Sequence, residues 1–133
     1  MLTIEQIIEE AKKAREKAYA PYSNFKVGAV IECKDGKLFY GANVENASYG
    51  LTVCAERNAI FKAIIDGYRA DDFIKLCLIT DSDSLASPCG ACSQVISEFF
   101  KKDTPIIIAT LKGEKLITNI EELLPYGFSG GNL

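Results

Sequence analysis

The chain has 133 residues, of which 48% are hydrophobic and 25% are charged, which is the composition of an ordinary globular domain. A formal net charge of −3 and the lack of a basic run argue against a nucleic-acid partner. No apolar run approaches the roughly 20 residues that cross a bilayer, and the acidic, amphipathic N-terminus does not resemble a signal peptide. We therefore expect one cytoplasmic domain over residues 1–133, without a nucleic-acid or membrane partner.

The cysteine and histidine counts restrict the chemistry further. The chain has five cysteines and no histidine. An odd number of cysteines without a signal peptide argues against a disulfide framework. The lack of histidine excludes any mechanism that needs an imidazole base or ligand, so a metal site must use thiolates and carboxylates.

The first predicted element is a helix that begins behind Thr3. Thr3 and Gln6 form the S/T-x-x-E/Q pattern of a capping box. Apolar residues then recur at helical spacing from Ile4 to Ala18. The pattern predicts an amphipathic helix of about four turns, which Pro21 closes.

A predicted hairpin and a second helix follow. Residues 26–33 and 37–42 have strand character, and Asp35-Gly36 between them is a hairpin turn signal. Residues 43–50 are polar, small and glycine-ended, and we interpret them as a loop. Thr52 is a plausible N-cap for the second helix, which stops at Gly67.

The remaining segments alternate between strand and helix patterns. They are a short apolar strand at 73–80, a helix at 90–100, a buried strand at 105–111, a short strand at 115–118 and a helical turn at 120–124. Strands joined by a tight turn are antiparallel, whereas strands joined by a helix run parallel. We therefore expect a three-layer α/β/α fold with a mixed five-stranded sheet.

Three cysteines lie where helices are predicted to begin. Cys54 lies at the start of the second helix, and Pro88-Cys89-Gly90-Ala91-Cys92 opens the third. Helix N-termini stabilise thiolate charge, and three protein ligands with an open fourth position are typical of catalytic zinc. The alternatives are buried structural cysteines and a closed four-cysteine site that adds Cys33 or Cys77. Those two lie among apolar residues of predicted strands, and we interpret them as core residues.

Two charged residues follow Cys54. A carboxylate at Glu56 would lie near the metal without binding it, and could take a proton from bound water and return it to a substrate. The alternative is an acid that the helix dipole favours in a first turn. Arg57 could donate N–H groups to the ligand sulfurs and offset their charge, or it could be an ordinary exposed arginine. Spacing alone does not decide between these two interpretations.

The cysteine motifs resemble a known signature. Cys54-Ala55-Glu56 together with Pro88-Cys89-Gly90-Ala91-Cys92 is similar to the signature of the zinc nucleoside deaminases. Three further segments, residues 22–29, 41–49 and 123–128, resemble the small homotetrameric cytidine deaminases. The likeness spans nearly the whole chain.

The resemblance implies a zinc-dependent reaction with named residue roles. One zinc ion per subunit would be bound by Cys54, Cys89 and Cys92. Glu56 would be the proton shuttle, and Arg57 would compensate for the ligand charge. The implied reaction is hydrolytic deamination of cytidine and 2′-deoxycytidine to uridine and 2′-deoxyuridine with release of ammonia, a step of pyrimidine salvage.

The resemblance also implies how a nucleoside would bind. Asn43 and Glu45 would hold the ribose hydroxyls, Phe25 would pack against the pyrimidine, and the Ala55 backbone N–H would contact the ring. Further residues would reach into the sites of neighbouring subunits of a homotetramer, namely Ala47, Tyr49 and Phe128.

Two positions depart from the family pattern. Ser93 stands where the family more often has a basic residue, and Tyr126-Gly127 replaces the usual small residues; both positions bear on subunit contacts.

Two other functions are alternatives to cytidine deamination. A blasticidin S deaminase is similar in size and motif, but Asn43-Val44-Glu45-Asn46 argues for a ribose. A non-catalytic module stabilised by zinc would instead need four protein ligands.

Overall fold

The computed structural model describes residues 1–133 and contains five strands and four α-helices. The strands are β1 (Val27–Cys33), β2 (Leu38–Ala42), β3 (Phe73–Thr80), β4 (Ile106–Thr110) and β5 (Lys115–Thr118); the helices are α1 (Ile4–Arg15), α2 (Ala55–Ile65), α3 (Gly90–Phe99) and α4 (Ile120–Leu123). None of the helices combines the length and apolar character that crossing a membrane requires.

The five strands form one mixed sheet in the order β2-β1-β3-β4-β5. The β1–β2 and β4–β5 hairpins are antiparallel, as is the β1–β3 pair, whereas β3 and β4 run parallel. The predicted mixed five-stranded sheet is therefore confirmed. Because β2 and β3 both run antiparallel to β1 between them, their carboxyl ends lie at the same edge of the sheet.

Hydrophobic cores cover both faces of the sheet. Alternate residues of a strand point to opposite faces, and β3 uses both. Cys77 and Ile79 pack with α1 on one face, whereas Leu76 and Leu78 pack with α2 and α3 on the other. The layers are therefore α1, the sheet, and the α2–α3 pair. Cys33 belongs to the second of these cores, so both strand cysteines are core residues, as predicted.

The predicted four-turn first helix was too long. The capping box at Thr3 is present, but α1 ends at Arg15. Beyond it the chain pairs with the loop after β2: the Tyr19 amide donates to the Asn43 carbonyl, and the Tyr19 carbonyl accepts from the Glu45 amide, each at 2.9 Å. These hydrogen bonds with a distant segment replace the last helical turn.

The predicted N-cap of α2 was wrong by two residues. Cys54 is the N-cap, with extended backbone at φ −73° and ψ 159°. The Thr52 hydroxyl instead accepts a hydrogen bond from the Asn46 amide at 3.2 Å, which ties the loop after β2 to the entry of α2. Cys54 and Glu56 are thereby placed at the first turn of the helix.

Two glycines allow the helices to approach the sheet closely. A Cβ atom at Gly28 of β1 would lie 2.2 Å from the Ala11 carbonyl and 2.4 Å from the Arg15 amide of α1. A Cβ atom at Gly41 of β2 would lie 2.2 Å from the Ala55 carbonyl of α2. Gly41 therefore allows the first turn of α2 to lie directly on the sheet.

We expect Gly28→Ala to lower the free energy of unfolding by about 1–3 kcal/mol, since α1 must shift to admit the methyl group. Gly50→Ala is the matched control, because a Cβ atom there meets nothing within 4 Å, and its effect should stay within about 0.5 kcal/mol. Urea unfolding of the two variants and the parent protein measures both values. Equal stability of the two variants would contradict the close approach.

Candidate functional site

The N-termini of α2 and α3 bring three thiols together. Cys54 is the N-cap of α2, Cys89 is the N-cap of α3, and Cys92 lies in the first turn of α3. Their Sγ atoms all lie within 4.8 Å of one another, and those of Cys54 and Cys89 are 4.0 Å apart. Tetrahedral zinc with Zn–S bonds of about 2.3 Å separates its sulfur ligands by about 3.8 Å. The three thiols therefore fit one zinc ion.

Two helix N-termini, those of α2 and α3, meet at this thiol cluster. The first N–H groups of a helix have no partner within it and carry partial positive charge. The Cys92 amide uses this position to donate to the Cys89 sulfur at 3.5 Å. Cys33 and Cys77 lie in the sheet, outside the cluster. The closed four-cysteine arrangement is therefore not formed.

The cluster favours a thiolate at Cys54. A hydrogen bond from the Cys92 thiol, and after it one from Arg57, lowers the pKa of Cys54 to about 5. The same contact with Cys54 raises the pKa of Cys92. The cluster therefore favours loss of the Cys54 proton, and metal binding would displace the remaining thiol protons.

Arg57 lies beside the cluster. Its Nη2 atom donates to the Cys54 sulfur at 3.5 Å, and its buried Nε atom has no hydrogen-bond partner. The hydrogen bond to Cys54 raises the pKa of Arg57 further, so the guanidinium is charged. Three thiolates around a divalent cation leave a net charge of −1, which this guanidinium can offset.

Glu56 lies one residue into the first turn of α2 and lines the adjacent cavity. It is 4% exposed, and burial raises the pKa of its carboxyl group. A carboxyl group with a raised pKa beside a metal site can both accept and donate a proton. The fold therefore places one acid–base group in the same cavity wall as Cys54 and Cys89.

A cavity of about 400 Å³ opens beside the thiols, which is within the range of small-molecule sites. Five residues proposed for substrate binding line it: Phe25, Asn43, Glu45, Tyr49 and Ala55. Ala47 and Phe128 do not line it, and both are exposed. The Phe128 carbonyl accepts a hydrogen bond from the side-chain amide of Gln94 at 2.9 Å. Tyr49 lines the cavity of its own chain.

Asn43 and Glu45 are buried and already hold backbone groups. The Asn43 amide oxygen accepts from the Val27 amide, and its nitrogen donates to the Phe25 carbonyl, both at 2.8 Å. Glu45 accepts from the Tyr22 amide at 3.0 Å and from the amide and hydroxyl groups of Ser23. The Ser23 hydroxyl bond lowers the pKa of Glu45. One amide hydrogen of Asn43 stays free for a ligand.

Sequence reasoning missed several lining residues, among them Ser23, Thr52, Leu78, Thr80 and the segment 86–88. The position of Thr80 at the carboxyl end of a central strand is where α/β sheets bind ligands, and segment 86–88 adjoins Cys89. Those two signals could have been used. Ser23 and Thr52 carried no local signal.

Comparisons with known proteins agree with this site. Residues 1–108 match the family model described as the cytidine and deoxycytidylate deaminase zinc-binding region. A cytidine deaminase of Sporosarcina psychrophila is 46% identical over 132 residues, which cover 99% of this chain and 96% of the relative. The matched zinc-binding region and the three thiols together indicate one zinc ion per chain, bound by Cys54, Cys89 and Cys92.

Solved structures show the same arrangement of elements. The cytidine deaminase of Burkholderia pseudomallei superposes with a TM-score of 0.92 at 48% identity, covering 96% of this chain and all of that one. The cytidine deaminase of Mycobacterium tuberculosis superposes with a TM-score of 0.79 at 32% identity, covering 97% of this chain and 99% of that one.

We expect Cys89→Ala to weaken zinc binding by more than the roughly 10- to 100-fold that losing an outer hydrogen-bond partner of a metal site costs. Cys77→Ala is the matched control: it removes a buried thiol that belongs to the core, so zinc affinity should not change. Atomic emission after equilibration against a graded chelator measures both. Equal zinc affinity in the two variants would rule out Cys89 as a ligand.

Proposed function

The chain belongs to the cytidine and deoxycytidylate deaminase family, and on that premise we propose that it converts cytidine and 2′-deoxycytidine to uridine and 2′-deoxyuridine with release of ammonia. The observation that carries the proposal is a single cavity bordered by the zinc-binding thiol pair Cys54 and Cys89, by buried Glu56 and by the polar side chains of Asn43 and Glu45. Such a cavity offers hydrolytic chemistry at one end and hydroxyl recognition at the other.

Glu56 carries the proton transfers in this proposal. Zinc, when bound, lowers the pKa of a coordinated water toward neutrality and so supplies the nucleophile for C4. The Glu56 carboxylate takes one proton of the consumed water to ring N3, where it stays in the product. It then carries the second proton to the departing amino nitrogen, which leaves as ammonia. Arg57 keeps the ligand charge from weakening the metal's effect on water.

The remaining lining residues are proposed to bind the nucleoside. Glu45 would accept a hydrogen bond from a ribose hydroxyl, and the free amide hydrogen of Asn43 would donate to another. Phe25, 39% exposed at the cavity, would pack against the pyrimidine. Ala55 is the first residue of α2, so its N–H has no partner within the helix and is free for the ring.

A homotetramer with shared sites is part of the proposal. Support comes from large side chains left on the surface: Tyr49 is 62% exposed, Phe128 is 56% exposed, and Tyr126 is fully exposed. Tyr and Phe side chains are enriched at protein–protein interfaces. Phe128 and Ala47, which lie outside their own cavity, would complete a neighbour's site together with Tyr49. Ser93 is buried and its hydroxyl donates to the Pro88 carbonyl at 3.4 Å, so it plays a part within its own chain.

The cysteines support a cytoplasmic setting. All five are free, and a site of three thiols requires them reduced, as they are in the cytoplasm. We place the reaction there, in pyrimidine salvage.

We expect zinc-loaded protein to abolish the ultraviolet band of cytidine and of 2′-deoxycytidine. Glu56→Gln keeps the shape of the side chain but removes its ability to take up and release a proton. The variant should have full zinc content and a kcat lowered by about 10²- to 10⁴-fold. Faster loss with blasticidin S than with cytidine would move the substrate assignment to the antibiotic. Normal turnover by Glu56→Gln, or none by the zinc-loaded parent, would contradict the proposal.

Shared sites predict complementation between two inactive variants. Phe128→Ala should lose most activity, and so should Glu56→Gln. Co-expression of the two with different affinity tags would produce mixed assemblies in which some sites combine an intact Glu56 with a neighbour's intact Phe128. Doubly purified mixtures should therefore regain activity. Failure to regain it in a confirmed mixed assembly would place Phe128 in its own chain's site or outside catalysis.

A further inference from the structure

Residues 22–27, called here the Phe25 segment, form one wall of the cavity. Residues 22–26 lie between α1 and β1 without helix or strand structure, and Val27 is the first residue of β1. Three residues of the segment line the cavity: Ser23, Phe25 and Val27. Asn24 at the turn has a left-handed φ of 58°, a conformation that asparagine adopts more readily than most residues other than glycine. Five of the six backbone N–H groups of the segment donate to acceptors outside it, and these hydrogen bonds hold the wall in shape.

Two of the holding side chains belong to the cavity itself. Asn43 holds the Val27 amide and the Phe25 carbonyl, whereas Glu45 holds the Tyr22 and Ser23 amides. The Lys26 amide, in the middle of this series, donates instead to the Asp81 carboxylate at 3.1 Å. Asp81 lies directly after β3, outside the set of residues that line the cavity.

Asp81 is itself fixed by Arg15. The Arg15 Nε atom donates to Asp81 Oδ1 at 2.5 Å, and the two side chains are only 17% and 22% exposed. Although burial opposes ionisation, the hydrogen bonds from Arg15 and from the Lys26 amide lower the pKa of Asp81. The acceptor is therefore an ionised carboxylate, and its hydrogen bonds are of the strong, charge-assisted kind.

The pair has rigid supports on both sides. Arg15 is the last residue of α1, which lies on the sheet at Gly28 with the Arg15 amide 2.4 Å from where a Cβ atom would be. Asp81 continues from the central strand β3. A helix end and a strand end thus meet at one backbone N–H of the Phe25 segment.

We propose that Asp81, held by Arg15, is a positioning residue. It fixes the Phe25 segment from outside the cavity and thereby sets substrate affinity without touching the substrate. The substrate part rests on the proposed function. The chemistry acts through the neighbouring side of the cavity, at the thiols and Glu56, so loss of the pair should affect binding of the nucleoside more than its conversion.

The same loop offers a matched control. Asp83 pairs with Lys112 at 2.6 Å, but the two side chains are 85% and 66% exposed and neither lines the cavity. Exposed pairs of this kind contribute little to stability. Asp81→Asn and Asp83→Asn remove the same charge two positions apart, so a general effect of charge would appear in both.

The experiment compares steady-state kinetics of the zinc-loaded, full-length variants with cytidine. Asp81→Asn should raise KM about tenfold, the equivalent of one charged hydrogen bond, and leave kcat and zinc content close to the parent values. Asp83→Asn should match the parent. Arg15→Lys keeps a cation on Asp81 and should restore most of the affinity that Arg15→Gln loses. If Asp81→Asn does not fold, Arg15→Gln tests the same pair.

Hydrogen exchange of the Lys26 amide supplies a readout that does not depend on activity. It should be faster in Asp81→Asn than in Asp83→Asn and the parent. Unchanged exchange would overturn the proposal, as would a lowered kcat with unchanged KM. If the parent protein does not convert cytidine, the proposed function fails, and the exchange rate still decides whether Asp81 holds the segment.

Discussion

The site depends on holding three sulfurs around one cation while limiting their negative charge. Cys54 and Cys89 are the N-caps of two helices, the Cys92 amide donates to the Cys89 sulfur, and Arg57 adds a positive charge beside the cluster. The sheet makes this meeting possible. Since β2 and β3 end at the same edge, the chain segments that leave them start α2 and α3 next to each other. The close approach at Gly41 then places the first turn of α2 at the required depth.

Short sequence patterns predict much of this arrangement, and the predictions that were wrong have a common cause. The span of β3 and the capping box at Thr3 follow from patterns of a few residues, and both were predicted as they stand. The end of α1 and the N-cap of α2 were not, because a segment distant in sequence decides each. The backbone of Tyr19 pairs with the loop after β2 instead of continuing the helix. The Thr52 hydroxyl accepts a hydrogen bond from the Asn46 amide, and Cys54 is the N-cap.

The thiol trio was predictable for the same reason that Asp81 was not. Cysteine is rare enough that three of them at helix starts indicate a metal without further context. Aspartate in a loop is common, and its partners here are 55 and 66 positions away. Only the folded chain shows that Asn43 and Glu45 share the task of holding the Phe25 segment with a residue outside the cavity. Groups proposed to bind the substrate are therefore also part of the scaffold, and substitutions at Asn43 or Glu45 will change both properties together.

The surroundings shift the pKa values of two carboxyl groups of the cavity in opposite directions. Glu45 accepts three hydrogen bonds, led by the one from Ser23, and they lower its pKa; it is a permanent acceptor suited to hydroxyl groups. Burial raises the pKa of Glu56, which suits the proton exchange proposed for it. Environments that separate the pKa values of neighbouring acids assign them different roles. Here the separation follows from position: Glu45 faces the amides of an irregular segment, whereas Glu56 is enclosed at the start of a helix packed against the sheet.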